Sequence, residues 1–324
     1  MKLLCLSADD LRSALPMDVA VRVVKQAFAA FSSGRAEAPP RTVLSIPERV
    51  ATTLVMSCYL PDYGLGTKVV SVFPQNRGGL TPVVQGLVVL LDPETGQPMA
   101  LVDGTALTAW RTGAASGAAT DLLSLEHATE AAVIGAGAQA RTQVIALDTV
   151  RSLDTIWIYA RTADRVRALI ENLQPHVSAT LVAAESAVEA VRDVAIVCTA
   201  TSSTTPVLDG SLLAPGTHVN AIGSFTTEMC EIDARTIERA HVFVDSVAAA
   251  VAEAGDLLAA ESAGVTQRHD WTELGRVVTG TATGREGDEI TLFKSVGLAV
   301  QDIAVAGEAV ARARAAGLGT EVVV

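Results

Sequence analysis

Apolar residues recur in two rhythms along this chain, and each rhythm predicts a different kind of structure. After Pro16, the residues Val21, Val24, Phe28 and Phe31 are spaced three and four apart, the period of one buried helix face, and Gly34 marks the stop. Ahead of them, Ser7-Ala8-Asp9-Asp10 supplies the hydroxyl cap and first-turn acid of a separate helix start. From Arg41 to Leu91 the character changes. Residues 52–56, 67–72 and 86–91 are runs of strand-forming residues divided by Pro and Gly turns, and Asp92-Pro93-Glu94-Thr95-Gly96 turns the last of them toward residues 99–102. Helices with antiparallel strands predict an α+β first domain over residues 1–124.

Residues 105–123 are rich in Ala, Gly and Ser and read as a closely packed helix carrying Trp110-Arg111. Beyond it, strand and helix alternate. Strands are expected at residues 131–134, 155–159, 179–183, 194–199, 218–222 and 241–244, with helices between them. Repeated βα units build a parallel sheet covered on both faces, so residues 125–297 are expected to form a doubly wound α/β domain. Residues 295–316 have a helical pattern, and the segment 298–324 is expected to pack back on the first domain.

One turn in the second domain carries chemistry. Gly135-x-Gly137-x-x-Ala140 follows the strand ending at Ile134 and opens a helix. The first Gly permits the tight turn, the second lets a pyrophosphate approach the main chain, and Ala140 keeps helix and strand close. This is the context a Rossmann dinucleotide site requires. At the end of the next strand the chain reads Tyr159-Ala160-Arg161-Thr162, with Arg165 one turn on. An acid there would hold the ribose hydroxyls of NAD, whereas Arg161 and Arg165 suit a 2′-phosphate. NADPH is therefore favoured and NADH is the alternative, with Asp164 as ribose ligand if the strand runs later.

Composition narrows the partners. A formal charge of −12 gives no general attraction for nucleic acid or anionic lipid, although a pocket can be locally basic. Cys5, Cys58, Cys198 and Cys230 form no Cys-x-x-Cys pair, and His127, His176, His218, His241 and His269 are dispersed, so neither a disulfide framework nor a metal site is expected. No basic start followed by an apolar run, and no window of membrane-spanning length, is present. These features point to the cytoplasm.

The stretches Leu80-Thr81-Pro82, residues 96–104, Thr108-Ala109-Trp110-Arg111-Thr112-Gly113, residues 134–140, Thr272-Glu273-Leu274-Gly275 and Phe293-Lys294-Ser295-Val296-Gly297 resemble the ornithine cyclodeaminase/μ-crystallin family in order and spacing. The resemblance implies a homodimer whose first domain binds substrate and forms the interface, beside a Rossmann domain carrying the coenzyme. It implies that Arg41, Lys68 and Arg111 hold a substrate carboxylate. It also implies that Thr81, Arg111, Ala138, Gln139, Arg161, Thr162, Arg165, Thr199, Thr201, Lys294 and Ser295 touch the coenzyme, with Gly135, Gly137, Ala200 and Gly223 completing that set. Family members that deaminate ornithine carry an Asp where this chain has Phe225, and Phe cannot accept a proton. The run from Gly223 to Met229 looks instead like the members that reduce cyclic imines. The expected reaction is reduction of Δ1-pyrroline-2-carboxylate or Δ1-piperideine-2-carboxylate to L-proline or L-pipecolate. Ornithine cyclodeamination, an alanine- or opine-type dehydrogenase and a non-catalytic NADPH-binding protein are the alternatives. Asp302, in the last helix, is expected to cap, pair or face solvent.

Overall fold

The computed structural model describes residues 2–76 and 78–324, and the chain divides into two compact units, Met1–Arg111 with Leu298–Val324 and Thr112–Gly297. The division falls inside the small-residue helix rather than after it. In chain order the first unit runs β1 (Lys2–Leu6), α1 (Ala8–Ala14), α2 (Met17–Ser32), β2 (Thr42–Ile46), β3 (Ala51–Leu60), β4 (Gly64–Val72), β5 (Val84–Leu91) and β6 (Pro98–Asp103), and α3 (Gly104–Leu123) carries the chain out of it. The second unit contains β7 (Glu130–Ile134), α4 (Ala138–Val150), β8 (Thr155–Tyr159), α5 (Ala163–Leu173), β9 (Thr180–Ala183), α6 (Ala187–Val191), β10 (Ile196–Thr199), β11 (His218–Ala221) and α7 (Ala234–Arg239). It continues with β12 (Ala240–Val244), α8 (Val247–Glu253), α9 (Gly255–Ser262), β13 (Thr272–Glu273), α10 (Leu274–Val278) and β14 (Ile290–Lys294). The chain returns to the first unit with α11 (Ala299–Ala316) and β15 (Thr320–Val323).

In the first unit the sheet order is β15-β1-β6-β5-β4-β3-β2, antiparallel except for the β1–β6 pair. Ser7 caps α1 as the sequence indicated, and Asp10 reaches back to it to close a reciprocal capping box. Helix α11 lies against β3, β4 and β5 and against α1 and α2. On β3, Met56, Cys58 and Leu60 are buried while Val55, Ser57 and Tyr59 are exposed, the alternation of a sheet covered on one face. Val55, Val69 and Leu87 stand in register on adjacent strands of the uncovered face and are 36%, 39% and 44% exposed. A row of large apolar side chains facing solvent marks a surface suited to association.

The second unit is a parallel sheet of order β13-β12-β14-β11-β10-β7-β8-β9. Its strands bury both faces. Ala131 and Val133 of β7 join a core with residues of α4 and α5, and Ala132 and Ile134 join another with residues of α6, α7, α8 and α9. This is a Rossmann-type doubly wound sheet, and the protein joins it to an α+β unit. Within the second unit α3 packs closely because Gly113 has no side chain: a Cβ there would lie 2.6 Å from the carbonyl oxygen of Thr142 on α4. No helix among the described residues is long and apolar enough to cross a membrane.

Strand order reverses between β7 and β10, the place where open α/β sheets collect ligands. Gly135 holds that point open with φ of 132°, and a Cβ on it would fall 2.4 Å from the carbonyl oxygen of Ala200. Both the dihedral and the crowding forbid a side chain. Gly135→Ala is expected to cost about 3 kcal/mol of stability, measured as a lower urea midpoint with an unchanged slope.

Candidate coenzyme and carboxylate sites

Lys68 sits in the middle of β4 and points into the covered face, on the same side as Gly66 and Val70. It is 1% exposed, and a buried ammonium needs a partner. Its Nζ donates to Oδ1 of Asp302 at 2.7 Å, and Nε of Arg111 donates to the same oxygen at 3.1 Å. Arg111 also donates from a terminal nitrogen to Oε1 of Gln301 at 2.8 Å. Asp302 is wholly buried, so of the three roles read from sequence it takes the pairing role. Burial pulls the Lys68 pKa down to about 7; Asp302 opposes the fall, and Arg111 and Arg41 reinforce it. Arg41 stands half-buried just ahead of β2. The Cys58 thiol is pushed up to about 12 by burial and by the Asp302 charge, so it is not a nucleophile at neutral pH. Two cationic side chains, Lys68 and Arg111, share one carboxylate, in a chain that is acidic overall. That arrangement can bind a small carboxylate.

In the second unit, Gly137 is the residue before α4, and no side chain caps this helix start. A Cβ on Gly137 would meet nothing within 4 Å, so the space in front of the first-turn amides is open. Gly137 and Ala138 are exposed, and Gln139 is half-buried. Thr199, at the end of β10, is fully buried with no hydrogen-bond partner for its hydroxyl among the described residues, and Oε1 of Gln139 is likewise without one. An uncapped helix start, an open notch and two unpartnered polar groups fit a dinucleotide pyrophosphate and its ribose. Strand β8 ends at Tyr159 as read from sequence, with Arg161, Thr162 and Arg165 exposed beyond it. Asp164, in the first turn of α5, is exposed and pairs with Arg167 one turn along the helix. Thr81 lies exposed in the first unit, on the loop before β5.

The loops after β10 and β11 are fixed by a buried network of acids that sequence reasoning missed. Glu231 accepts the main-chain N–H of Thr201 at 2.6 Å, of Gly223 at 2.7 Å and of Ser224 at 3.1 Å. Asp256 accepts the N–H of Glu231 and of Ile232 and pairs with Nζ of Lys294 at 2.8 Å. That Nζ also donates to the carbonyl of Ser224 at 2.7 Å. Burial raises the Glu231 pKa, partly offset by Lys294, and the Asp256 pKa stays below its usual value because Lys294 and main-chain donors outweigh its burial. Lys294 is wholly buried and its ammonium belongs to this ring, while the Ser295 hydroxyl donates to Asp245 at 2.9 Å. The signal available was weak: Glu231 and Asp256 each interrupt short apolar stretches. The structure thus joins Lys68 to Arg111, Gly135 to Ala200, and Thr201 to Gly223, while the Lys294 and Ser295 side chains are engaged within the fold.

A model of the ornithine cyclodeaminase/mu-crystallin family matches residues 1–316. The chain is 36% identical over 324 residues to a Delta(1)-pyrroline-2-carboxylate reductase of Bacillus cereus, covering 99% of each. Among solved structures it matches Thermococcus litoralis Delta(1)-pyrroline-2-carboxylate reductase in complex with NADH and L-proline, with a TM-score of 0.95 and 36% identity over 99% of this chain and 100% of that one. It also matches an archaeal alanine dehydrogenase dimer with bound NAD, with a TM-score of 0.91 and 33% identity over 100% of this chain and 99% of that one.

The Glu231 network makes its own prediction. Glu231→Gln would set an amide NH₂ against main-chain donors. It is expected to cost about 3 kcal/mol in equilibrium unfolding, and a loss below about 0.5 kcal/mol, the scale of an ordinary surface change, would show that the network holds nothing in place.

Proposed function

The chain belongs to the ornithine cyclodeaminase/mu-crystallin family, and from that premise we propose that it is a nicotinamide-dependent reductase of cyclic α-imino acids, converting Δ1-pyrroline-2-carboxylate to L-proline. Δ1-Piperideine-2-carboxylate, one methylene larger, is the second substrate of the same chemistry. The observation that carries this reading is the cation cluster of Lys68 and Arg111 on Asp302, in a chain whose full-length relatives reduce that imine. One of those relatives has been seen with NADH and L-proline bound.

In this reading the first unit binds substrate and the second binds coenzyme. Arg111 and Arg41 hold the carboxylate, and fixing it orients the C=N bond; much of the rate gain comes from that orientation. The coenzyme supplies a hydride, which the imine carbon accepts as the nitrogen takes up a proton. With its pKa near neutrality, Lys68 can hold a proton to bind the carboxylate or pass one toward the nitrogen. Phe225, half-buried beyond β11, supplies no acid, which suits a substrate ring lacking a side-chain amine. Gly135, Gly137, Ala138, Gln139, Thr199, Ala200, Thr201 and Gly223 form the coenzyme cradle. The Lys294 ammonium acts through the ring that braces it. A bound 2′-phosphate between Arg161 and Arg165 would make NADPH the preferred coenzyme. The free cysteines suit a reducing cytoplasm, which is where we place the reaction.

Two copies are proposed to associate through the uncovered face of the first unit's sheet, where Val55, Val69 and Leu87 align. A related alanine dehydrogenase is a dimer.

Coenzyme oxidation on adding Δ1-pyrroline-2-carboxylate tests the activity. Arg111→Ala is expected to lower kcat/KM by about 100-fold, the scale of one charge-assisted contact; turnover of ornithine with none of the imine would contradict the proposal. Replacing Arg161 and Arg165 by Ala is expected to raise KM for NADPH about tenfold and leave NADH unchanged. Equal use of both coenzymes by the unaltered protein would refute the preference. Leu87→Asp is expected to yield monomers in sedimentation where the unaltered protein is a dimer.

A further inference from the structure

Lys68, in the middle of β4, and Asp302, in the first turn of α11, are brought together from positions 234 residues apart. We propose that Asp302 is a positioning residue of the carboxylate site: its one buried carboxyl group turns the Lys68 ammonium and the Arg111 guanidinium toward each other and keeps the lysine charged, so that an incoming carboxylate meets two cations and not an amine. The identity of that carboxylate rests on the reductase reading; the geometry does not.

Three features carry the inference. Both cations donate to the same oxygen, Oδ1, at 2.7 and 3.1 Å, so their heads are held within a few ångströms of one another despite like charge. The other oxygen, Oδ2, is buried with no hydrogen-bond partner among the described residues, so the hydrogen bonds of this carboxyl group go to the two cations. Arg111 is steadied on its other side by Gln301, whose Oε1 also accepts the main-chain N–H of Leu298 at 3.3 Å. The first turn of α11 therefore supplies both acceptors that orient Arg111.

The charged groups acting on Lys68 are Asp302 on α11, Arg111 on α3 and Arg41 ahead of β2, while its partners across the sheet, Met56 on β3 and Val88 on β5, are apolar. Cys58 on β3 feels Asp302 and stays a thiol. Burial, Arg111 and Arg41 all act to strip the proton from Lys68, and Asp302 is the group that retains it. Without that charge the lysine would be a neutral amine in a buried site, a poor partner for a carboxylate.

The chain has four lysines, Lys2, Lys25, Lys68 and Lys294, so carbon-13 lysine labelling gives four side-chain Cε resonances, and Lys68→Met identifies the one of interest. The experiment follows that resonance against pH in the unaltered protein, in Asp302→Asn and in Asp302→Glu, with no substrate present. The Lys68 midpoint is expected to fall by more than about one pH unit, a tenfold loss of proton affinity, in Asp302→Asn and to return in Asp302→Glu. The alkaline limb of kcat/KM for the cyclic imine should shift by the same amount. A midpoint that does not move in Asp302→Asn overturns the proposal, because a purely structural role would lower stability and leave the titration in place. If only Asp302→Glu folds and it keeps the normal midpoint, charge is what the site requires and the proposal stands. If neither variant folds, Asp302 is a folding residue and the proposal falls. A shifted resonance in a protein that turns over no imine leaves Asp302 as assigned and removes the reductase reading instead.

Discussion

A lysine buried in the middle of a β-sheet is stable only if opposite charge lies close by, and the first unit is organised around meeting that demand. The neighbouring strands contribute apolar side chains, and the adjoining helix α3 adds another cation. The compensating carboxylate arrives only when the chain has completed the whole second unit and come back as α11. Residues 298–324 do more than cover the sheet: they bring Asp302 and Gln301 to Lys68 and Arg111, and Ile303 packs over the bare Cα of Gly66, where a Cβ would lie 2.8 Å from its Cδ1. Covering the core and completing the charge cluster are tasks of one helix.

The second unit solves a different problem, that of leaving main-chain amides open to a ligand while keeping the loops around them firm. Gly135 allows the ends of β7 and β10 to approach, and Gly137 leaves the space in front of α4 empty. Firmness comes from below. One glutamate gathers three amides from the two loops that follow β10 and β11, and its own segment is held by Asp256, which is in turn neutralised by Lys294. A Lys at the end of a sheet strand is easily taken for a ligand-binding cation. Here its ammonium closes a ring with Asp256 and the Ser224 carbonyl that braces the loop after β11.

Much of this was legible in the residues. The βα alternation located the Rossmann sheet, β8 was placed to the residue, and the helix start capped at Ser7 was readable from four letters. Lys68 was placed at the carboxylate site by the family resemblance. Strands with no periodic signal were missed. β1 and β14 are short apolar runs that could belong to a helix or a strand, β2 and β15 are exposed edges, and β13 is two residues long. The partners of the cations were missed for a deeper reason. Asp302, Glu231 and Asp256 are ordinary acids whose importance lies in tertiary neighbours far away in sequence, and no local pattern encodes those neighbours.

Recognition of the carboxylate is therefore proposed to rest on a pair of cations already held in place. Its most direct test is a calorimetric titration of the coenzyme-loaded protein with L-proline and with L-prolinamide, which share the ring and differ in the charge of the group that Lys68 and Arg111 would meet. The acid is expected to bind about 100-fold more tightly than the amide, the scale of a charge-assisted contact. Equal affinity for the two would contradict the account.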